Sequence, residues 1–215
     1  MTVKKRSARR VNEKEILDLH NISKDDWELD FHIKKPFKLN NLQQEFFDTI
    51  INDQTQMSFV DGPAGSAKTY IGVLAALRLL SERKIKNIVY IRSIVESANR
   101  SMGALPGEII DPGAQSTLMS KGYIKCIPVN FTRGLTFRES VVIVDEAQNM
   151  TKDELTTVLT RFGEGSKYII VGDSLQSDIN GKSGFNKIQE VFDSDECREN
   201  GIFAYKFTDD DVVRS

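Results

Sequence analysis

Apolar positions recur along this chain in two rhythms. Short, nearly unbroken runs at 57–60, 88–91, 124–129, 141–144, 168–171 and 202–207 have strand length, and the wholly apolar 141–144 suits a parallel strand covered on both faces. Between these runs, apolar residues return every three or four positions. Leu42, Phe46 and Ile50, with Phe47 and Ile51 beside them, predict a helix from Asn41. Tyr70, Val73, Leu74, Leu77 and Leu80, flanked by Ile71, Ala75 and Leu79, form so wide a stripe that their helix must be mostly buried. Leu155, Val158, Leu159 and Phe162 mark a third helix, opened by a Thr151–Glu154 capping box and stopped by Gly163 and Gly165, and Phe185, Ile188, Val191 and Phe192 a fourth. A short helix is expected near 13–19. Residues 27–37 alternate as a strand or an extended pass does, 102–110 read as irregular, and 111–123 fit neither rhythm.

Strands alternating with helices imply right-handed crossovers and an α/β fold with a mostly parallel sheet flanked by helices, which binds ligands at the carboxyl ends of its strands. Polar residues gather at those ends: the loop after 57–60, Arg92 and Ser93 after the second strand, Asp145 with Glu146, and Asp173 with Gln176.

The loop after the first strand carries the most specific chemistry. It reads Gly62, Pro63, Ala64, Gly65, Ser66, Ala67, Lys68, Thr69, a GxxxxAKT variant of the phosphate loop GxxxxGK[ST]. Gly62 and Gly65 let successive amides turn inward, where they and the helix N-terminus hold an anion. Lys68 reaches the outer phosphates as a point charge, and the Thr69 hydroxyl is placed to ligate a phosphate-bound Mg2+. Ala67, in the last glycine position, adds only a methyl group and leaves the site intact. The second motif decides the reaction. At the end of 141–144, Asp145 is expected to hold Mg2+ through water, and Glu146 to orient and deprotonate an attacking water; as an ordinary helix start, the pair would instead complement the helix dipole. Gln176, in the loop with Asp173, is expected near the γ-phosphate, where its amide senses that group and helps place the water.

Length and charge narrow the picture. The chain of 215 residues has room for one sizeable domain, taken here as 13–215 after a basic arm at 1–12 that is either a backbone-binding arm for nucleic acid or a solvated tail. A net charge of -2 gives no bulk electrostatic case for nucleic acid. No apolar run approaches the ~20 residues that span a bilayer, so no membrane association and a cytoplasmic location are expected. Cys126 and Cys197 lie too far apart for a metal or disulfide framework and read as packing residues, and His20 and His32 as surface residues.

Taken together, GPAGSAKT, LPGE, FTRGLTF, VDEAQN, TRFGEGS, VGDSLQSD and DVVRS, in this order over 39–214, resemble the PhoH family of ATPases, which itself looks like the motor core of superfamily-one helicases with a RecA-like P-loop NTPase fold. A short form with an AKT loop is similar to members carried by bacteriophages. The resemblance implies ATP binding and hydrolysis, single-stranded RNA as substrate or activator, and a homo-oligomeric ring, most simply a hexamer. By position, Gln43 matches the glutamine that reads adenine, and Arg133 and Arg214 match arginines that meet phosphate, across a subunit boundary if the ring forms. Arg92, with Ser93, sits where related motors contact nucleic acid; for Arg92 and Arg133 a structural salt bridge is an equal alternative. The chain departs from the family at Ala67, at Leu135 where a second arginine often stands, in a shorter stretch before FTRG that reads as lacking a helix, and in its stop at Ser215. A different class of function fits the same residues, an ATP-binding oligomeric switch with little turnover.

Overall fold

Each strand of the sheet sends alternate side chains into two separate cores, as the two-residue period of a strand requires. The computed structural model describes residues 31–34, 37–93, 109–179 and 181–213. In chain order the elements are α1 (Asn41–Ile51), β1 (Met57–Asp61), α2 (Lys68–Ser81), β2 (Asn87–Arg92), α3 (Pro112–Ser120), β3 (Ile124–Pro128), β4 (Ser140–Val144), α4 (Lys152–Leu159), β5 (Lys167–Gly172), α5 (Phe185–Phe192), α6 (Asp195–Glu199) and β6 (Ile202–Lys206), with 3-10 turns at Val129–Thr132, Ala147–Asn149 and Asp209–Asp211. The six strands form one sheet in the order β3-β2-β4-β5-β1-β6, and every pairing is parallel.

On one face Val60, Ile88, Val141, Ile143, Ile169 and Val171 pack with α1 and α2, through Phe46, Ile50, Ile71, Leu74 and Leu77. On the other, Phe59, Val89, Val142, Val144, Tyr168 and Ile170 pack with Leu155 and Val158 of α4 and Phe185 of α5. The result is the three-layer α/β architecture that the alternation predicts. The predicted capping box of Thr151 with Glu154 opens α4, and a second one, Asn40 with Gln43, opens α1.

Two helices are unexpected, and one open alternative is decided. Residues 111–123 contain α3, a nine-residue helix that burial does not advertise, because Leu118 alone is buried and Gly113 and Pro112 stand at its start. The stretch before FTRG therefore does hold a helix. A second short helix, α6, buries nothing and leaves no apolar rhythm to read. Residues 31–34 and 37–40 form no strand. They run as an extended pass, with Phe31, Ile33 and Leu39 laid on the core and the Lys34 N–H bonded to the Ile109 carbonyl at 2.8 Å. The basic arm at 1–12, the helix expected near 13–19, LPGE at 105–108 and Arg214 lie outside the described residues.

Candidate nucleotide site

Because all strands run parallel, β1, β4 and β5 deliver their following loops to one end of the sheet, where they enclose a cleft of about 340 Å³. Ala64, Gly65, Ala67, Lys68 and Thr69 line it from β1, Asp145, Glu146 and Gln148 from β4, and Asp173 and Gln176 from β5. The sequence-predicted phosphate, metal, water and sensor residues thus converge.

The phosphate loop is held in shape from inside and outside. Gly65 takes φ +82°, and Ala67 caps α2 in the left-handed region at φ 61°, ψ 16°, a backbone that glycine adopts without cost and alanine does not. The Ser66 hydroxyl donates to the Pro63 carbonyl at 2.7 Å. Lys68, 8% exposed, folds back so that Nζ donates to the carbonyls of Gly62 at 2.6 Å and Pro63 at 2.7 Å and to Ser66 Oγ at 3.3 Å. Burial lowers the pKa of this amine, while Asp173, Asp61, Glu146 and Asp145 around it oppose that shift. Outside the loop, the chain after β6 is strapped onto it. The Val213 N–H bonds Gly65 O at 3.0 Å, and Phe207 packs so closely on Gly62 that a Cβ there would stand 2.6 Å from the Phe207 Cβ.

Gln43 belongs to this strap. It is 2% exposed, its Nε2 donates to the carbonyls of Ser66 at 3.3 Å and Asp211 at 2.9 Å, and its Oε1 accepts from the Asn40 N–H at 3.0 Å. Asp211 in turn accepts from Asn40 Nδ2 at 2.8 Å. The amide expected to read adenine is committed to bracing the loop, and Gln43 is not among the residues that line the cleft. Phe37 and Tyr70 are, with ring centroids 4.9 Å apart.

The two carboxylates after β4 reach the cleft by a backbone device. Asp145 stays on the sheet ladder through its N–H to Ile91 O at 3.0 Å and points toward α2. A strand would turn the next residue to the opposite face. Glu146 instead adopts φ 54°, ψ 41°, the left-handed region, and both side chains enter the same cleft. Asp145 is 3% exposed. Its Oδ1 accepts from Thr69 Oγ1 at 2.8 Å, and its Oδ2 accepts from the Tyr90 hydroxyl and from Arg92 Nη2 at 2.7 Å and Nε at 3.1 Å. Burial, then the Asp145 charge, raises the Tyr90 pKa, so the phenol remains a donor. Burial works against the Arg92 charge, but Tyr90 and Asp145 outweigh it and raise its pKa. Arg92 is therefore an ion-pair partner within the site, and Ser93 beside it is buried.

Two residues beyond the predicted set complete the arrangement. Gln148 donates from Nε2 to Glu146 Oε2 at 2.8 Å and accepts the Asp173 N–H on Oε1 at 3.0 Å, so one amide fixes the carboxylate against β5. Asp61, the last residue of β1, accepts from Ser174 N–H at 2.8 Å and Ser174 Oγ at 2.7 Å, and so ties the root of the phosphate loop to the loop that carries Gln176. Arg133 is exposed after the 3-10 turn and does not line the cleft, while Leu135 fills the second core.

Thr69 and Asp145 fit a divalent cation. Ligands adjacent on an octahedron of ~2.1 Å bonds lie about 3 Å apart, close to the 2.8 Å between Thr69 Oγ1 and Asp145 Oδ1. Asp173 adds a buried Oδ2 with no hydrogen-bond partner among the described residues, a second negative oxygen in the same cleft.

The family model described as PhoH-like protein matches residues 37–116 and 107–215. PhoH-like proteins of Bacillus subtilis, 37% identical over 181 residues, and Mycobacterium bovis, 32% over 200, match 75% and 84% of the chain, and Protein PhoH of Escherichia coli matches 82% at 30% identity. The chain spans about half the length of these relatives, 54–55% of each. Among solved structures, the large terminase of a thermophilic bacteriophage, determined in complex with ADP, superposes with a TM-score of 0.52 over 81% of this chain and 46% of its own at 12% identity, which is a likeness of fold.

Proposed function

This chain belongs to the PhoH family, and from that premise we propose that it is a Mg2+-dependent ATPase whose turnover is coupled to single-stranded RNA. The observation that carries the reading is the convergence on one cleft of a phosphate loop, a Thr69–Asp145 pair at metal-ligand spacing and a Glu146 carboxylate held by Gln148. The loop amides of 62–69 bind the phosphates, and Lys68 exchanges the carbonyls of Gly62 and Pro63 for an outer phosphate oxygen. Thr69 and Asp145 hold Mg2+, which when bound neutralises charge on the phosphates. Glu146 takes a proton from water as the water oxygen bonds the γ-phosphorus and the bond to the bridging oxygen breaks, releasing ADP. Gln176, at the cleft edge, contacts the γ-phosphate. No helix among the described residues is long and apolar enough to cross a membrane, and we place the protein in the cytoplasm as a ring of identical subunits, with Arg133 and Arg214 facing phosphate at subunit boundaries.

Phosphate release from Mg-ATP, measured with and without single-stranded RNA beside Lys68→Ala and Glu146→Gln, tests this. Turnover that RNA raises and both substitutions abolish is expected. ATP binding without turnover, indifferent to RNA, would overturn the proposal in favour of a nucleotide-binding assembly switch.

A further inference from the structure

Asp145 has two oxygens with different neighbours, and what keeps them different is Tyr90. This tyrosine stands in β2 among aliphatic residues, paired with Cys126 of β3 and Ile143 of β4, and is 4% exposed. Its ring is gripped by the core, so its hydroxyl is a fixed point. That hydroxyl donates to Asp145 Oδ2. Arg92, two residues on and therefore on the same face of the strand, adds Nη2 and Nε to the same oxygen, bonds the Tyr90 hydroxyl at 3.1 Å through Nη2, and lies 5.2 Å from the tyrosine ring centroid. Oδ2 thus has three donors, and Oδ1 is left to Thr69 and the cleft.

We propose that Tyr90 is a positioning residue for divalent-cation binding, which pins the Asp145 carboxylate so that Oδ1 faces the metal and Arg92 stays on Oδ2. The inference rests on the Mg-ATPase reading above. The last torsion of an aspartate is broad, so by itself it leaves the tilt of the carboxylate plane, and with it the direction of the oxygen that faces the cleft, loosely set. Arg92 cannot fix that plane alone. Its long side chain can follow the carboxylate as it tilts, whereas the phenol, held by a ring in the core, is a donor at a fixed place. Groups that orient a metal ligand in this way change metal affinity by about 10–100-fold when removed.

Tyr90→Phe in the full chain deletes the hydroxyl and keeps the ring. Tyr168→Phe is its control, because Tyr168 is also buried, with its hydroxyl 3.3 Å from the Val158 carbonyl and away from the cleft. Binding of Mn2+ to each protein in the presence of saturating ADP, followed by electron paramagnetic resonance, reads metal affinity without turnover. Tyr90→Phe should weaken Mn2+ about 10-fold and raise the Mg2+ needed for half-maximal hydrolysis by a similar factor, with kcat recovered at saturating Mg2+ and ADP affinity without metal unchanged. Tyr168→Phe should leave all of these at the wild-type values. Mn2+ affinity of Tyr90→Phe within twofold of wild type, in a protein that hydrolyses ATP, would overturn the role of Tyr90 alone. A wild-type chain that neither binds Mn2+ with ADP nor hydrolyses ATP would overturn the parent reading with it.

Discussion

Replacing Gln43 by glutamate exchanges one NH2 group for an oxygen at nearly constant volume. In the folded protein that NH2 donates to two carbonyls, Ser66 of the phosphate loop and Asp211 of the strap behind it, in a place only 2% exposed. The other oxygen of the new side chain can still accept the Asn40 N–H, since glutamate serves a capping box as well as glutamine does. Two effects follow at the altered atom. An ionised carboxylate meets two carbonyl oxygens and leaves both without a donor, at about 1–3 kcal/mol for each buried group, so ~2–6 kcal/mol at neutral pH. Alternatively the carboxyl stays protonated and donates once, which raises its folded pKa above the unfolded value near ~4.3. The sign is then fixed: the folded state binds the extra proton, so stability is retained below the unfolded pKa and is lost as pH rises through the folded one. Urea unfolding of wild type, Gln43→Glu and Gln43→Ala at pH 5 and pH 8 separates these contributions. The deficit of Gln43→Glu should grow by at least ~1 kcal/mol between the two pH values, while that of Gln43→Ala, which has no proton to bind, should stay constant. Gln43→Glu within ~0.5 kcal/mol of wild type at pH 8 would refute the brace. The amide would then be available to read a base, and a shift in ATP-over-GTP selectivity would accompany its loss.

Gly62→Ala should detach the strap from the other side, because the new methyl would lie 2.6 Å from Phe207 Cβ and 3.0 Å from the Phe207 carbonyl oxygen; overpacking of this kind costs about 1–3 kcal/mol, and a thermal midpoint unchanged within a degree would contradict it. Ala67→Gly should act in the opposite direction. The left-handed backbone at φ 61° costs alanine ~1–2 kcal/mol, and the added freedom of an unfolded glycine offsets ~0.4–1 of it, for a net gain of about 0.5 kcal/mol that chemical unfolding would detect and a loss of that size would refute.

Most of the sheet was legible because parallel strands covered on both faces are apolar through their centres, as β4 is at Val141–Val144 and β5 at Tyr168–Val171. Where burial is thin the rhythm fails: α3 buries Leu118 alone, α6 buries nothing, and neither could be read. The site divides along a similar line. Lys68, Thr69, Asp145 and Glu146 were legible because their chemistry depends on neighbours in sequence. The links that orient them were not, since they join distant segments, Tyr90 to Asp145 across 55 positions, Asp173 to Gln148 across 25 and Gln43 to Asp211 across 168. A signal for Tyr90 did exist, because a hydroxyl inside an otherwise aliphatic buried strand needs a partner. Gln43 shows the converse risk: a glutamine matched by position to a base-reading role stands, in this fold, with every polar atom already engaged.

The strained backbone falls where the chain leaves the sheet toward the cleft. Among the described residues four that are not glycine take positive φ, and Arg83 and Glu139 lie in turns away from the cleft, whereas Ala67 and Glu146 line it. Their roles are complementary. At Ala67 the left-handed turn ends the phosphate loop and starts α2 so that Lys68 and Thr69 follow at once on the helix N-terminus. At Glu146 it cancels the strand alternation that would send this carboxylate to the face opposite Asp145. A relaxed extended residue at 146 would keep Asp145 in place, yet would point the Glu146 carboxylate away from the cleft. Such strain persists only where surrounding contacts over-determine it. Here they do so through Gln148, which holds the Glu146 carboxylate with one end of its amide and the backbone just after β5 with the other, so the position of that carboxylate is set by β5 as much as by the strand that carries it.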